Sequence, residues 1–327
     1  VSAPEQPAAW SPAPHRFPQA GLPTQVRVYE VGPRDGLQAE TEVIPTAAKV
    51  EFIERLVAAG VGTVELTSFV SPRWIPQLAD AEQLMAQVSL PDEVRAVVLV
   101  PNLRGLDRAI AAGATEVAVF VSATEEFAKR NLNTTIAGAV SAAVEVATAA
   151  RAAGLPVRGY ISMCFGDPWE GSVPVERVAD LARELLDGGC TSLSLGDTIG
   201  VATPGHVRAL LAAVQARGVD VDQVAMHFHD TYGQALANVY AALTAGVTEF
   251  DSAAGGLGRC PYAKGATGNL ATEDLVWMLH GLGIETGIDL NSLADASAWM
   301  ADRIGHASPS RVVTALLSSR RSASHQT

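Results

Sequence analysis

The sequence predicts a TIM (β/α)8 barrel, and three observations predict it. Short β-branched runs alternate with longer alanine- and leucine-rich stretches of helical period, eight times over roughly 250 residues, the usual size of such a barrel. Polar residues gather at the C-terminal ends of the apolar runs, the face on which barrels build their sites. No GxGxxG fingerprint follows the first run, which disfavours the rival, an open doubly wound sheet.

The units follow one another in order. Residues 1–25 are rich in proline and alanine, lack an apolar core segment, and read as a disordered tail rather than a signal peptide. One barrel domain is then expected over 26–320. Strand Val26–Val31 leads to helix Thr46–Ala59, Val61–Leu66 to Gln77–Val88, Val94–Val100 to Leu103–Ala112, and Glu116–Val121 to Ile136–Ala153. The second half pairs Val157–Met163 with Val175–Asp187, Ser192–Leu195 with Gly205–Arg217, Val224–His229 with Gln234–Thr244, and Val247–Ser252 with Ala271–His280. Several helices run into glycine, as at Gly60, Gly113 and Gly246, where a residue of positive φ closes the last turn. Two extra C-terminal helices, Leu293–Ile304 and Pro309–Leu317, are expected to pack on the barrel or to form an oligomer contact.

Composition narrows the function. The 327 residues carry 23 basic and 35 acidic side chains, net charge −12, with no basic block, so nucleic acid is not an expected partner. No apolar run is long enough to span a membrane. Cys164, Cys190 and Cys260 are far apart, odd in number and free of CxxC spacing. That fits a reducing, cytoplasmic setting without a disulfide framework or structural zinc. Cys164 and Cys190 read as structural.

His227-Phe228-His229, followed by Asp230, closes the apolar run Val224-Ala225-Met226. Residues two apart on a strand share a face, so two imidazoles stand together at a strand end and suit a divalent metal. Other strand ends carry Arg34-Asp35-Gly36-Leu37-Gln38, Glu65 with Thr67-Ser68, Gly196-Asp197-Thr198, and a glycine-rich stretch from Gly255 through Cys260 to Asn269. Each also has a plainer reading. Arg34-Asp35 alone reads as a surface ion pair, Glu65 as the partner of an arginine, Asp197 as an Asx turn, and Cys260 as a buried thiol.

Taken together, the segments Val31–Gln38, Glu65–Pro72, Ser194–Gly200, His227–Gly233 and Gly255–Asp274 resemble the 3-hydroxy-3-methylglutaryl-CoA lyase family, over about Val26 to Ile288. The resemblance implies a metal-dependent lyase of acyl-CoA substrates, forming a homodimer. It implies that Asp35, His227, His229 and Asn269 bind a divalent cation, for which the donor set suits Mg2+ or Mn2+. It also ties Arg34, Glu65, Asp197, Cys260 and Glu273 to the active site. Cleavage of a 3-hydroxyacyl thioester needs loss of the hydroxyl proton, a cationic clamp on the developing enolate, and an acid for the new carbanion. Arg34 suits the clamp, with Gln38 beside it for substrate, and Cys260 suits the acid. Asp35 and His227 suit the proton relay, while Glu65 and Asp197 orient Arg34 and substrate.

Two segments depart from the family pattern. Arg259 stands where a second glycine usually precedes the cysteine, and Asp167 and Trp169 stand in a loop usually reading Gly-Cys-Pro-Tyr-Glu-Gly. Two rival readings remain. One is a Claisen-type synthase related to isopropylmalate or citramalate synthases, disfavoured by the Cys260 loop and by the lack of room for a further regulatory domain. The other is a non-catalytic metal- or acyl-CoA-binding protein, disfavoured by the full set of chemical residues.

Overall fold

A computed structural model describes residues 12–259 and 267–324. Eight parallel strands close a barrel in sequence order: β1 Arg27–Glu30, β2 Thr63–Ser68, β3 Arg95–Leu99, β4 Glu116–Ser122, β5 Val157–Ser162, β6 Ser192–Asp197, β7 Val224–Phe228 and β8 Glu249–Ser252. Closure is made by β1 on β8, with Val28 opposite Phe250 and Glu30 opposite Ser252. The expected barrel is therefore present.

Helices cover the strands: α1 Thr46–Ala58, α2 Ala81–Gln87, α3 Leu103–Ala111, the single turn α4 Glu125–Phe127, α5 Ile136–Ala152, α6 Val175–Asp187, α7 Pro204–Ala216, α8 Ala235–Thr244 and α9 Thr272–Gly281. Their apolar faces follow helical spacing, as with Val178, Ala182 and Leu185 of α6, all buried. Side-chain caps open α3, where Asn102 accepts from Gly105 N at 2.9 Å, and α5, where Thr135 accepts from Gly138 N at 3.1 Å. Gly60 ends the first helical unit with φ +95, and a Cβ there would meet Gly287 O at 2.2 Å. The C-terminal helices are α10 Leu290–Ile304 and α11 Arg311–Ser324.

Some boundaries differ from expectation. Helix α2 begins at Ala81 rather than Gln77, because Gln77 lies in a 3-10 turn and its amide oxygen accepts from Ile44 N at 2.9 Å. Helix α11 begins at Arg311 rather than Pro309, since Ser310 turns its hydroxyl to accept from Val313 N at 3.2 Å. Strand β7 stops at Phe228, and His229 instead bridges Asn269. Within the segment read as a tail, Phe17 N donates to Gly281 O at 2.8 Å and Gln25 pairs with Glu285 beside α9. Among the described residues no helix is long and apolar enough to cross a membrane.

Candidate active site

The first functional side chains come from the chain leaving β1. Val31 O accepts from both Asp35 N at 2.8 Å and Gly36 N at 3.1 Å, forming one π-type turn over Gly32–Gly36. Such wide turns are rare and often sit at functional sites. Arg34 is 8% exposed and donates from Nε to Glu65 Oε2 at 2.7 Å and from NH1 to Asp35 Oδ1 at 2.7 Å. Glu65 is fully buried beside a register shift of β2, the kind of irregularity that re-aims a side chain. Tyr160 from β5 donates to the other Glu65 oxygen at 3.3 Å, and its ring lies 5.9 Å from the Arg34 guanidinium. Burial works against the Arg34 charge, but Glu65 and Asp35 outweigh it and hold the guanidinium protonated.

Asp35, His227 and His229 each offer a ligand atom within 4.8 Å of the others, and the two rings are 5.2 Å apart. Burial would raise the Asp35 pKa, yet Arg34 and then His227 bring it down to about 2, so the carboxylate is ionised at neutral pH. Burial and the neighbouring His227 lower His229 to about 3, keeping it a neutral imidazole. Asn269 Nδ2 donates to Asp35 Oδ2 at 2.9 Å and to Leu257 O at 3.0 Å. Gly258, with φ +108, leaves room for that amide, since a Cβ there would meet Asn269 Nδ2 at 2.6 Å.

The donor set fits a divalent cation on an independent ground. Among the described residues, Asn269 Oδ1 and His229 Nδ1 are buried with no hydrogen-bond partner. An unpaired buried polar atom costs roughly 1–3 kcal/mol, which a cation taking the lone pairs would remove. Oxygen and imidazole donors together accept Mg2+ or Mn2+.

Arg34, Asp35, Gln38, His227 and His229 line one cavity of about 930 Å³, which Phe120 and Arg130 also line. That is the size range of small-molecule sites. Asp197 and Glu273 are not among its lining residues. Asp197 accepts from Val201 N at 2.9 Å and Ala202 N at 3.1 Å, shaping the loop after β6, and burial lifts its pKa to about 6. Glu273 accepts from Gly255 N at 2.9 and 3.0 Å and from the Ser297 hydroxyl, and burial lifts its pKa to about 8. Cys260 lies outside the described residues. Arg259 lines the cavity edge, 3.9 Å from Glu40. Asp167 is used as a turn former, accepting from Trp169 N at 2.7 Å and Glu170 N at 2.8 Å. Cys164 and Cys190 are free and buried, and burial pushes both thiols up, Cys190 to about 12.

Sequence reasoning missed Arg158, Tyr160 and Asp251. All face the barrel interior, and Asp251 Oδ2 lies 3.2 Å from His227 Nδ1. The missed signal is period-two polarity within apolar strands, Arg158 with Tyr160 and Glu249 with Asp251.

Fold and site together define a (β/α)8 barrel with a two-histidine, one-carboxylate cluster at its mouth, the arrangement of a metal-assisted enzyme. Residues 25–300 match the HMGL-like family, and the chain belongs to it. The mitochondrial hydroxymethylglutaryl-CoA lyase of Arabidopsis thaliana is 51% identical over 90% of this chain, which spans 63% of that protein's length. The cytoplasmic 3-hydroxy-3-methylglutaryl-CoA lyase of Rattus norvegicus is 46% identical over 95% of this chain and 91% of its own. The crystal structure of hydroxymethylglutaryl-CoA lyase from Pseudomonas aeruginosa superposes with a TM-score of 0.89 at 48% identity, covering 91% of this chain and 99% of that one.

Proposed function

We propose that the protein is a hydroxymethylglutaryl-CoA lyase that cleaves 3-hydroxy-3-methylglutaryl-CoA to acetyl-CoA and acetoacetate. The observation that carries this reading is that Arg34, held from behind by Glu65, lines one cavity with the Asp35–His227–His229 cluster. A relative from Acinetobacter, an HMG-CoA lyase 36% identical with a TM-score of 0.85, is described in complex with coenzyme A and 3-methylmalate, which supports an acyl-CoA substrate.

Asp35, His227, His229 and Asn269 would hold Mg2+ or Mn2+, which when bound acidifies a substrate hydroxyl and polarises its oxygens. Asp35, kept ionised by the Arg34 guanidinium beside it, accepts the proton of the C3 hydroxyl and releases it to water. The C3–O bond becomes a carbonyl, the C2–C3 bond breaks, and its electron pair moves into the thioester as an enolate. Arg34 donates to that enolate oxygen, already fixed by Glu65 so that little reorganisation is needed. The Cys260 thiol protonates C2 and regains its proton from water, so one proton leaves the hydroxyl and one arrives on carbon. Asp197 and Glu273 act as positioning residues for the loops after β6 and β8. His227, beside Asp35, is the second residue placed to relay the hydroxyl proton.

The test is release of acetyl-CoA from 3-hydroxy-3-methylglutaryl-CoA by purified protein with Mg2+ or Mn2+, run beside longer glutaryl-CoA analogues. No acetyl-CoA from any of them would sink the lyase reading. Cys260→Ser is expected to lower turnover by about 10²- to 10⁴-fold, and full activity would remove the thiol from its role. A cytoplasmic setting fits the cysteine usage, a homodimer is the expected assembly, and light scattering of the eluting protein decides the subunit count.

A further inference from the structure

Strands β7 and β8 set His227 opposite Asp251 in register. His227 Nδ1 lies 3.2 Å from Asp251 Oδ2, and Ser194 Oγ donates to the same oxygen at 2.8 Å. The other Asp251 oxygen receives the Arg158 guanidinium, which reaches across the barrel from β5 and also holds Glu249. Arg158 is fully buried, with its guanidinium 3.9 Å from the Tyr29 ring. The Asp251 carboxylate is 1% exposed and has donors on both oxygens.

Stability alone does not explain this arrangement. Buried ion pairs lose much of their attraction to desolvation, and apolar residues of like size often serve a core equally well. What the pair does provide is an acceptor fixed at Nδ1 of a histidine that also offers a ring nitrogen to the cluster with Asp35 and His229. A histidine that binds a metal commonly gives its second ring N–H to a carboxylate, which sets the tautomer and the ring angle.

We propose that Asp251 is a positioning residue that keeps His227 in the Nδ1–H tautomer, leaving the Nε2 lone pair for the cation, with Arg158 and Ser194 fixing the carboxylate. The inference rests on the metal reading of the Asp35–His227–His229 cluster. It assigns Asp251 no contact with substrate.

The first test needs no variant. In metal-free protein labelled with 15N-histidine, long-range 1H–15N correlation is expected to show His227 protonated at Nδ1 and bare at Nε2. A proton on Nε2 with Nδ1 bare overturns the proposal. The second test measures Mn2+ affinity by electron paramagnetic resonance without substrate. Asp251→Asn is expected to bind Mn2+ about 10- to 100-fold more weakly than the parent while keeping its circular dichroism. Should Asp251→Asn not fold, Arg158→Met with Asp251→Asn removes both buried charges and is read in the same way. Unchanged Mn2+ affinity in the folded variant overturns the positioning role while leaving the metal reading intact. A parent protein that binds no Mn2+ ends the metal reading and this inference with it.

Discussion

Asp35 follows β1 and Glu273 lies in the first turn of α9, and their surroundings treat negative charge in opposite ways. Around Asp35 stand Arg34, His227 and the Asn269 amide, which bring its pKa down to about 2. Glu273 instead accepts from neutral donors, the Gly255 N–H and the Ser297 hydroxyl, and burial, helped by the nearby Glu30, takes it up to about 8. Glu30 nearby is handled in the same manner, accepting from Gly32 N and Ala254 N at 2.8 Å and lifted by burial to about 7. The difference separates two uses of a buried carboxyl. Where a cation faces it, the group stays charged and can bind metal or take a proton. Where only backbone N–H groups and hydroxyls donate to it, the group serves as a clasp on the turn at Ala254–Gly256.

The largest expected effect is on the Asp35 side. His229→Ala removes a ligand atom, so Mn2+ affinity should fall by more than the ~10- to 100-fold typical of an outer partner, with turnover lost in parallel. Retained affinity would place the cation elsewhere. Arg34→Gln comes next. Loss of one donor to a developing oxyanion costs about 10²- to 10³-fold in turnover, while Mn2+ binding should change little. Equal loss of metal and turnover would mean that Arg34 acts by organising Asp35.

On the Glu273 side the effect should appear in stability. Its folded-state pKa of about 8 exceeds the ordinary value of 4.5, so the native state holds a proton that the unfolded chain has released. Stability from this group is thus lost as pH rises from about 4.5 to about 8. Glu273→Gln keeps the size without the titration, and its denaturant midpoint should fall less across that window than the parent's. Parallel curves would dissolve the contrast with Asp35. The smallest effect is expected for Gln38→Ala, a cavity-wall residue. Loss of one neutral hydrogen bond is worth about 1 kcal/mol, roughly a fivefold rise in KM with turnover kept.

Much of the site was legible because its residues cluster at strand ends in an apolar chain. His227 and His229 announce themselves by spacing, Arg34 and Asp35 by following directly on β1. Glu65 and Asp197 had two readings each, and the plain ones hold as contacts: Glu65 does pair with an arginine, and Asp197 does accept from the loop that follows it. Those contacts are compatible with the active-site roles, since an oriented guanidinium and a shaped loop serve the cavity. Asp251 and Arg158 stayed hidden because a charge inside a strand is read as a surface residue until its partner is known. That partner lies 93 positions away for Arg158 and Asp251.

The sequence by itself determined the barrel, the order of its units and the ligand types at its mouth. Periodicity and strand-end chemistry are local properties, fixed within a few residues. Only the tertiary structure decided which carboxyls carry charge. A carboxyl's ionisation depends on what burial brings within a few ångströms, and that is set by closure of the barrel. Folding put Arg34 against Glu65, left Glu273 among backbone and hydroxyl donors, and laid Asp251 behind His227.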